Sequence, residues 1–137
     1  MNDIYILDAC AVIALIKKET GWETVFDTLR KTITDNTVVF MHEVNLLEVY
    51  YGFYKECGKE YAEWKLFEVS ELVSTISGLT PAVFTEAGRL KSAYKISLAD
   101  SIALAEAVVL GATLLTADHH EFDVIEPLER IDFLWIR

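Results

Sequence analysis

Short apolar runs alternate along the chain with longer stretches in which apolar residues recur at helical spacing. The run at residues 4–7 is closed by Asp8 and has the length of a buried strand. A β-branched run at 38–41 predicts a second strand. Further strands are predicted at residues 73–76, 113–116 and 131–136. Helices are predicted at residues 9–18, 42–57, 80–95 and 97–110, and around residues 22–29 and 61–67.

Local start and stop signals support this segmentation. Thr80 and Pro81 form a strong helix start, and Gly58 and Gly111 stand where two helices are expected to stop. Strands that alternate with helices predict an α/β fold in layers, with a mostly parallel sheet. In such sheets, ligands bind beyond the carboxyl ends of the strands.

Composition is that of one globular domain spanning residues 1–137. Apolar residues make up 53%, and 22 acidic against 12 basic residues give a net charge of -10. That charge disfavours a passive basic surface for DNA or for an anionic membrane, but it is compatible with a nucleic-acid enzyme whose carboxylates hold metal ions. No leader or membrane-spanning pattern is evident, and Cys10 and Cys57 are expected to be buried free thiols, so we expect a soluble, cytoplasmic protein.

Four acidic residues stand where a solvated surface position is not expected. Asp8 ends the first strand, and Asp118 follows the strand at 113–116 by two residues. Glu48 interrupts an apolar helix face, and Asp100 lies in the first turn of a strongly apolar helix. Carboxylates at the edge of buried elements cost desolvation free energy and repel one another, and a divalent cation would remove both costs.

Each of these acids also has a purely structural explanation. Asp8 and Asp118 could cap the helices that follow them, Ser97 and Asp100 have capping-box spacing, and Glu48 could be a partly exposed helix residue. Two further acids remain open as participants, Glu43 as a rival to Glu48 and Asp123 as a fifth acid.

Carboxylates suit hard divalent cations such as Mg²⁺ and Mn²⁺ better than sulfur or imidazole does. Such ions activate water and stabilise the leaving oxygen of a phosphodiester, so hydrolysis needs no covalent nucleophile from the protein. The acidic residues therefore indicate metal-dependent phosphodiester chemistry.

Four segments contain these acids and carry a family resemblance. They read YILDACAVIAL at 5–15, NLLEVYYG at 45–52, SLADSIALAEA at 97–107 and GATLLTADHHEF at 111–122. In this order and at this chain length, the sequence resembles the PIN-domain nucleases, and most closely the VapC-type toxins of prokaryotic toxin–antitoxin pairs.

The resemblance implies a three-layer α/β fold with about five mostly parallel strands flanked by helices. It implies a metal-dependent endoribonuclease, a hydrolase of RNA phosphodiester bonds, that works as a homodimer and is silenced by an antitoxin protein. The implied catalytic and metal-binding residues for Mg²⁺ or Mn²⁺ are Asp8, Glu48, Asp100 and Asp118, with Thr116 as a supporting polar residue.

Some features leave alternatives open. Ala9 and Cys10 follow the first aspartate where the family often has small hydroxyl or amide residues. A catalytically inactive PIN-like module that binds protein or RNA is the alternative function. Positive charge for RNA is expected from Arg89, Lys91 and Lys95. The neighbouring pair His119 and His120 is either an exposed turn or a contact to RNA or metal.

Overall fold

The computed structural model describes residues 3–137, and five parallel strands form its centre. The strand order is β3-β2-β1-β4-β5, with every neighbouring pair parallel. This confirms the predicted α/β fold and its parallel sheet. The strands are β1 (Ile4–Leu7), β2 (Val38–His42), β3 (Ser74–Ile76), β4 (Thr113–Thr116) and β5 (Asp132–Trp135).

Helices occupy the connections between the strands. They are α1 (Ala9–Lys17), α2 (Trp22–Thr34), α3 (Glu43–Cys57), α4 (Lys59–Leu72), α5 (Pro81–Ala93), α6 (Leu98–Leu110) and the short α7 (His119–Phe122). The predicted helices are all present, with small differences at their ends. His42 caps α3 through its own side chain instead of starting it, because its Nδ1 accepts a hydrogen bond from the Val44 amide.

Two apolar cores cover the two faces of the sheet. Alternating side chains of a strand point to opposite faces, so Leu7 and Leu115 pack with α1, α2, α3 and α4, while Ile6 and Leu114 pack with α5 and α6. The molecule therefore has three layers, and the predicted three-layer arrangement is confirmed.

The chain changes direction across the sheet between β1 and β4. It builds β2 and β3 on one side of β1 and then crosses over to place β4 on the other side. A crevice at the carboxyl ends of the two strands is expected at such a switch point. Asp8 follows β1 directly, and Asp118 follows β4, so both lie at this crevice.

The cysteine expectation is only half right. Both cysteines are free thiols, but Cys57 at the end of α3 is exposed and Cys10 is half-buried. Within residues 3–137, no helix has the length and apolar content needed to cross a membrane.

Candidate active site

Asp8 is held in a fixed position at the end of β1. Its Oδ1 accepts a hydrogen bond of 2.9 Å from the Ala11 amide and so caps α1. Its Oδ2 accepts one of 2.5 Å from the Thr116 hydroxyl, and the residue is only 2% exposed. The capping role and a place in the candidate site therefore coexist in one carboxylate.

Asp118 reaches the same edge of the sheet from β4. Its backbone amide donates a hydrogen bond of 3.0 Å to Thr116 Oγ1, and its own Oδ1 accepts one of 3.1 Å from the Glu121 amide at the start of α7. Thr116 is fully buried, so its hydroxyl connects the Asp8 side chain to the Asp118 backbone.

The other two acids come from helices on opposite faces of the sheet. Glu48 projects from α3, on the side of α1 to α4. Asp100 lies in the first turn of α6, on the other side, where the Ser97 side chain caps the helix by accepting a hydrogen bond from the Asp100 amide. Each of the two helical layers thus supplies one carboxylate to the crevice.

All four carboxylates line one cavity of about 530 Å³. Within the described chain, no residue lining this cavity is a lysine, arginine or histidine. The full lining consists of Asp8, Ala9, Cys10, Ile13, Glu19, Glu48, Tyr51, Gly52, Ser97, Asp100, Asp118 and Glu121. We call this space the acidic cavity.

Burial and mutual repulsion make these carboxylates hard to ionise. Burial raises the pKa of Asp8 to about 7, opposed by the hydrogen bonds from Thr116 and Ala11, and the charges of Asp100 and Asp118 raise it further. Burial likewise raises the pKa of Asp100 to about 7, with help from neighbouring acids. The pKa of Glu48 is also raised, by burial and then by Asp118.

This donor set suits a hard divalent cation. Carboxylate oxygens face one cavity, their pKa values are raised by burial and by each other, and no basic side chain lines the wall to neutralise them. A Mg²⁺ or Mn²⁺ ion would supply the missing charge. Across residues 3–137, however, no three acidic, histidine or cysteine side chains are already gathered into a ligand cluster.

The two acids left open by the sequence do not line the acidic cavity. Glu43 accepts a hydrogen bond of 2.9 Å from the Gly78 amide, which ties α3 to the segment after β3. Asp123 lies beside His119, with 2.7 Å between its Oδ1 and the ring Nδ1. Both side chains are engaged in local structure.

The basic residues expected near the site are placed unequally. Arg89 is bound to the carboxylates of Glu86 and Glu129, and these contacts raise the pKa of its guanidinium. Lys91 lines a separate apolar cavity between α5 and α6. Lys95 lines a cavity of about 420 Å³ that also contains His120 and shares Glu121 with the acidic cavity.

Sequence reasoning missed several residues of the cavity wall. Glu19 and Glu121 line it, as does Cys10, whose pKa is raised to about 11 by burial and by Asp8, so it is a neutral thiol. Arg137 lies next to this wall, because its guanidinium approaches Glu19 to 3.6 Å. No local pattern marks Glu19 or Arg137, since their contact joins residues that are far apart in the sequence.

Comparisons with known proteins agree with this architecture. The family model described as PIN domain matches residues 5–126. The chain therefore belongs to the PIN-domain family, which confirms the resemblance seen in the sequence. No curated protein matches the sequence.

Solved structures of low sequence identity share the fold. VapBC2 from Rickettsia felis, bound to a promoter DNA fragment, is 21% identical with a TM-score of 0.75, over 96% of this chain and 97% of that one. DNA-bound VapBC from Salmonella typhimurium is 15% identical with a TM-score of 0.75, over 100% of both chains. VapC20 from Mycobacterium tuberculosis, a Sarcin-Ricin loop cleaving toxin, is 16% identical with a TM-score of 0.60, over 80% and 86%.

Proposed function

We propose that this PIN-domain protein is a metal-dependent endoribonuclease and the toxin of a type II toxin–antitoxin pair. The observation that carries the proposal is the acidic cavity, where carboxylates from β1, α3, α6 and the residues after β4 meet without a basic partner in the lining. Such a set of ligands supports hydrolysis of phosphodiester bonds, and we assign RNA as the substrate and the cytoplasm as the place of action.

Asp8, Glu48, Asp100 and Asp118 would hold Mg²⁺ or Mn²⁺, which supplies activation of water and stabilisation of the leaving oxygen. The chain itself orients the ligands. Ala11 and Thr116 each donate a hydrogen bond to one oxygen of Asp8, and the Glu121 amide fixes Asp118. Such supporting hydrogen bonds keep ligands in place and lower their pKa, so that they are deprotonated when the ion is bound.

Among the basic residues named from the sequence, Lys95 is the best placed to contact RNA. Its cavity adjoins the acidic cavity at Glu121, so a strand held by Lys95 and His120 would pass the carboxylates. Arg89 already forms salt bridges with two carboxylates, and Lys91 lines a different cavity, so both are weaker candidates for contact with RNA.

The proposed antitoxin partner and the proposed homodimer both need apolar surface, and the molecule has it. Phe26, Ile33 and Leu72 are exposed around a groove between α2 and α4. Leu79, Phe84 and Leu98 are exposed beside α5 and α6. Exposed apolar patches of this kind are typical of protein–protein contacts, and the structures from Rickettsia felis and Salmonella typhimurium are described as VapBC.

The test is cleavage of cellular RNA by purified protein in Mn²⁺ or Mg²⁺, with EDTA as the metal-free condition. Asp8→Asn and Asp100→Asn should each lower the cleavage rate at least about a hundredfold while the protein stays folded. Asp27→Asn is the matched control, because Asp27 is an exposed acid of α2 paired with Arg30. Full activity in both site variants would refute the proposal.

A metal titration by calorimetry separates the proposed enzyme from an inactive module of the same fold. Binding of Mn²⁺ to wild type, lost in Asp8→Asn, supports the enzyme. RNA or protein binding with no Mn²⁺ affinity and no cleavage supports the non-catalytic module instead.

A further inference from the structure

The C-terminal segment is fixed against the turn between α1 and α2, at the wall of the acidic cavity. The Ile136 amide donates a hydrogen bond of 3.0 Å to the Thr116 carbonyl, which continues the pairing with β4. Gly21 has a φ of +95°, and a side chain there would collide with the Ile136 carbonyl oxygen. The close approach of these two backbones brings Arg137 beside Glu19, a residue of the acidic cavity's wall.

The Arg137 guanidinium is held at this wall from one side. Its Nη1 donates a hydrogen bond of 2.8 Å to the Thr20 carbonyl. Its Nη2 lies 3.6 Å from Oε1 of Glu19, which lines the cavity. The positive charge of Arg137 also reaches Cys10 in the same wall, where it opposes the burial that raises the thiol pKa.

The backbone of Arg137 is anchored as well. His119 Nε2 lies 2.8 Å from the Arg137 carbonyl oxygen, and its Nδ1 lies 2.7 Å from Oδ1 of Asp123. The same ring stacks on Trp135 at a centroid distance of 3.9 Å. Because both ring nitrogens and one ring face of His119 make contacts, the ring holds the backbone of Arg137 in place.

Most of the donor capacity of Arg137 is unused. A guanidinium has five N–H donors, and within residues 3–137 the side chain makes one hydrogen bond, to Thr20. The Glu19 oxygen at 3.6 Å lies beyond hydrogen-bond distance. The side chain is 34% exposed, so a ligand can reach the remaining donors.

We propose that Arg137 binds a phosphate group of the RNA strand at the edge of the acidic cavity. The ligand's identity as RNA rests on the proposed function. The planar guanidinium of an arginine can donate hydrogen bonds to two phosphate oxygens. Its positive charge also reduces the repulsion between a phosphate and the acidic wall at Glu19. A strand anchored there would run past Asp8 and Asp118, because the segment carrying Arg137 pairs with the end of β4.

The test is fluorescence anisotropy with a labelled single-stranded RNA of random sequence, in EDTA so that no metal-dependent cleavage occurs. Arg137→Gln should weaken binding about tenfold, the loss of one charge-assisted contact. The slope of log affinity against log salt is negative, and its magnitude should decrease by about 0.7, as expected for one lost phosphate contact. Arg137→Lys should keep the salt slope and weaken binding less.

Glu19→Gln distinguishes a ligand contact from a structural ion pair. If Arg137 binds phosphate, removing the Glu19 charge frees the guanidinium and strengthens RNA binding. If the pair only builds the turn, both Glu19→Gln and Arg137→Gln weaken binding. Arg30→Gln is the matched control, an exposed arginine of α2 paired with Asp27, and should leave binding unchanged.

The outcomes separate this inference from the proposed function. Unchanged affinity in Arg137→Gln, weaker binding in Glu19→Gln, or no RNA affinity in wild type overturns the role of Arg137. If Arg137→Gln binds RNA as wild type does while wild type cleaves RNA in Mn²⁺, only the inference fails. RNA binding through Arg137 without cleavage in Mn²⁺ or Mg²⁺ leaves the contact standing and refutes the nuclease.

Discussion

The Thr116 hydroxyl donates a hydrogen bond of 2.5 Å to Oδ2 of Asp8, a residue 108 positions away in the sequence. The hydroxyl oxygen of Thr116 in turn accepts a hydrogen bond from the Asp118 amide. One buried threonine therefore links the ends of the two central strands. It also stabilises the charged form of Asp8, because the bond lowers a pKa that burial raises.

Thr116→Val should weaken metal binding and stability together. Without the hydroxyl, the pKa of Asp8 rises above about 7 and the Asp118 amide loses its acceptor. The amide is partly buried, and a buried donor left unpaired costs up to about 1–3 kcal/mol. Chemical denaturation measures the stability, and calorimetry with Mn²⁺ across pH measures the affinity. Thr116→Ser should retain both, and equal Mn²⁺ affinity in the valine variant at pH 7 would contradict this role.

In the metal-free protein, the contribution of Asp8 to stability should fall as pH rises from about 4 to about 7. Asp8 has a higher pKa in the folded state than the ordinary 3.8, so the folded protein binds its proton more tightly than the unfolded chain does. Deprotonation therefore costs stability over that range. The difference between a pKa of 3.8 in the unfolded chain and about 7 in the folded protein corresponds to about 4 kcal/mol of stability.

The difference in unfolding free energy between wild type and Asp8→Asn isolates this contribution. Asparagine keeps the helix cap but does not titrate. The unfolding free energy of the variant should therefore rise relative to that of wild type as pH rises in EDTA. Mn²⁺ should remove that gain, because the ion stabilises the deprotonated carboxylate. Parallel pH curves for the two proteins in EDTA would show that Asp8 ionises normally.

Glu106→Leu should stabilise the protein by about 1–3 kcal/mol at neutral pH. Glu106 in α6 is 3% exposed, and within residues 3–137 its Oε1 has no hydrogen-bond partner. Burial raises the pKa of this carboxyl, opposed by His42. Ionising it costs free energy as pH rises, so denaturation curves should show a larger gain at pH 8 than at pH 5.

A loss of stability in Glu106→Leu would mean that the carboxyl has a partner in solution. Asn45 in α3, a helix that contacts α6, would be tested as that partner, since both polar atoms of its buried side chain also lack partners among the described residues. Asn45→Leu in the same background would then recover part of the loss.

Gly21→Ala should destabilise the protein by about 1–3 kcal/mol. Its left-handed backbone is strained for any other residue, and the new methyl group would collide with the Ile136 carbonyl. Gly88→Ala is the matched control, because a side chain there meets open space within α5 and alanine favours a helix. Thermal unfolding should show opposite shifts, and equal shifts would argue against the close approach.

The candidate site was partly predictable. Asp8 and Asp118 could be assigned to one edge because each follows a short apolar strand, and parallel strands end at the same edge of a sheet. Asp100 could be located from its capping position after Ser97. The cations were harder to place. Arg89 looked available in the sequence, but it faces Glu129 across 40 positions, and such a contact leaves no local signal.

The sequence alone determined the elements and the fold class, because hydrophobic periodicity, caps and glycine stops act between neighbouring residues. Only the tertiary structure decided which side chains share a space. Glu48 and Asp100 face one cavity although they come from α3 and α6, which cover opposite sides of the sheet. Arg137 reaches Glu19 because the last strand continues past β4 onto the first interhelical turn. These contacts depend on strand order and on the packing of distant segments.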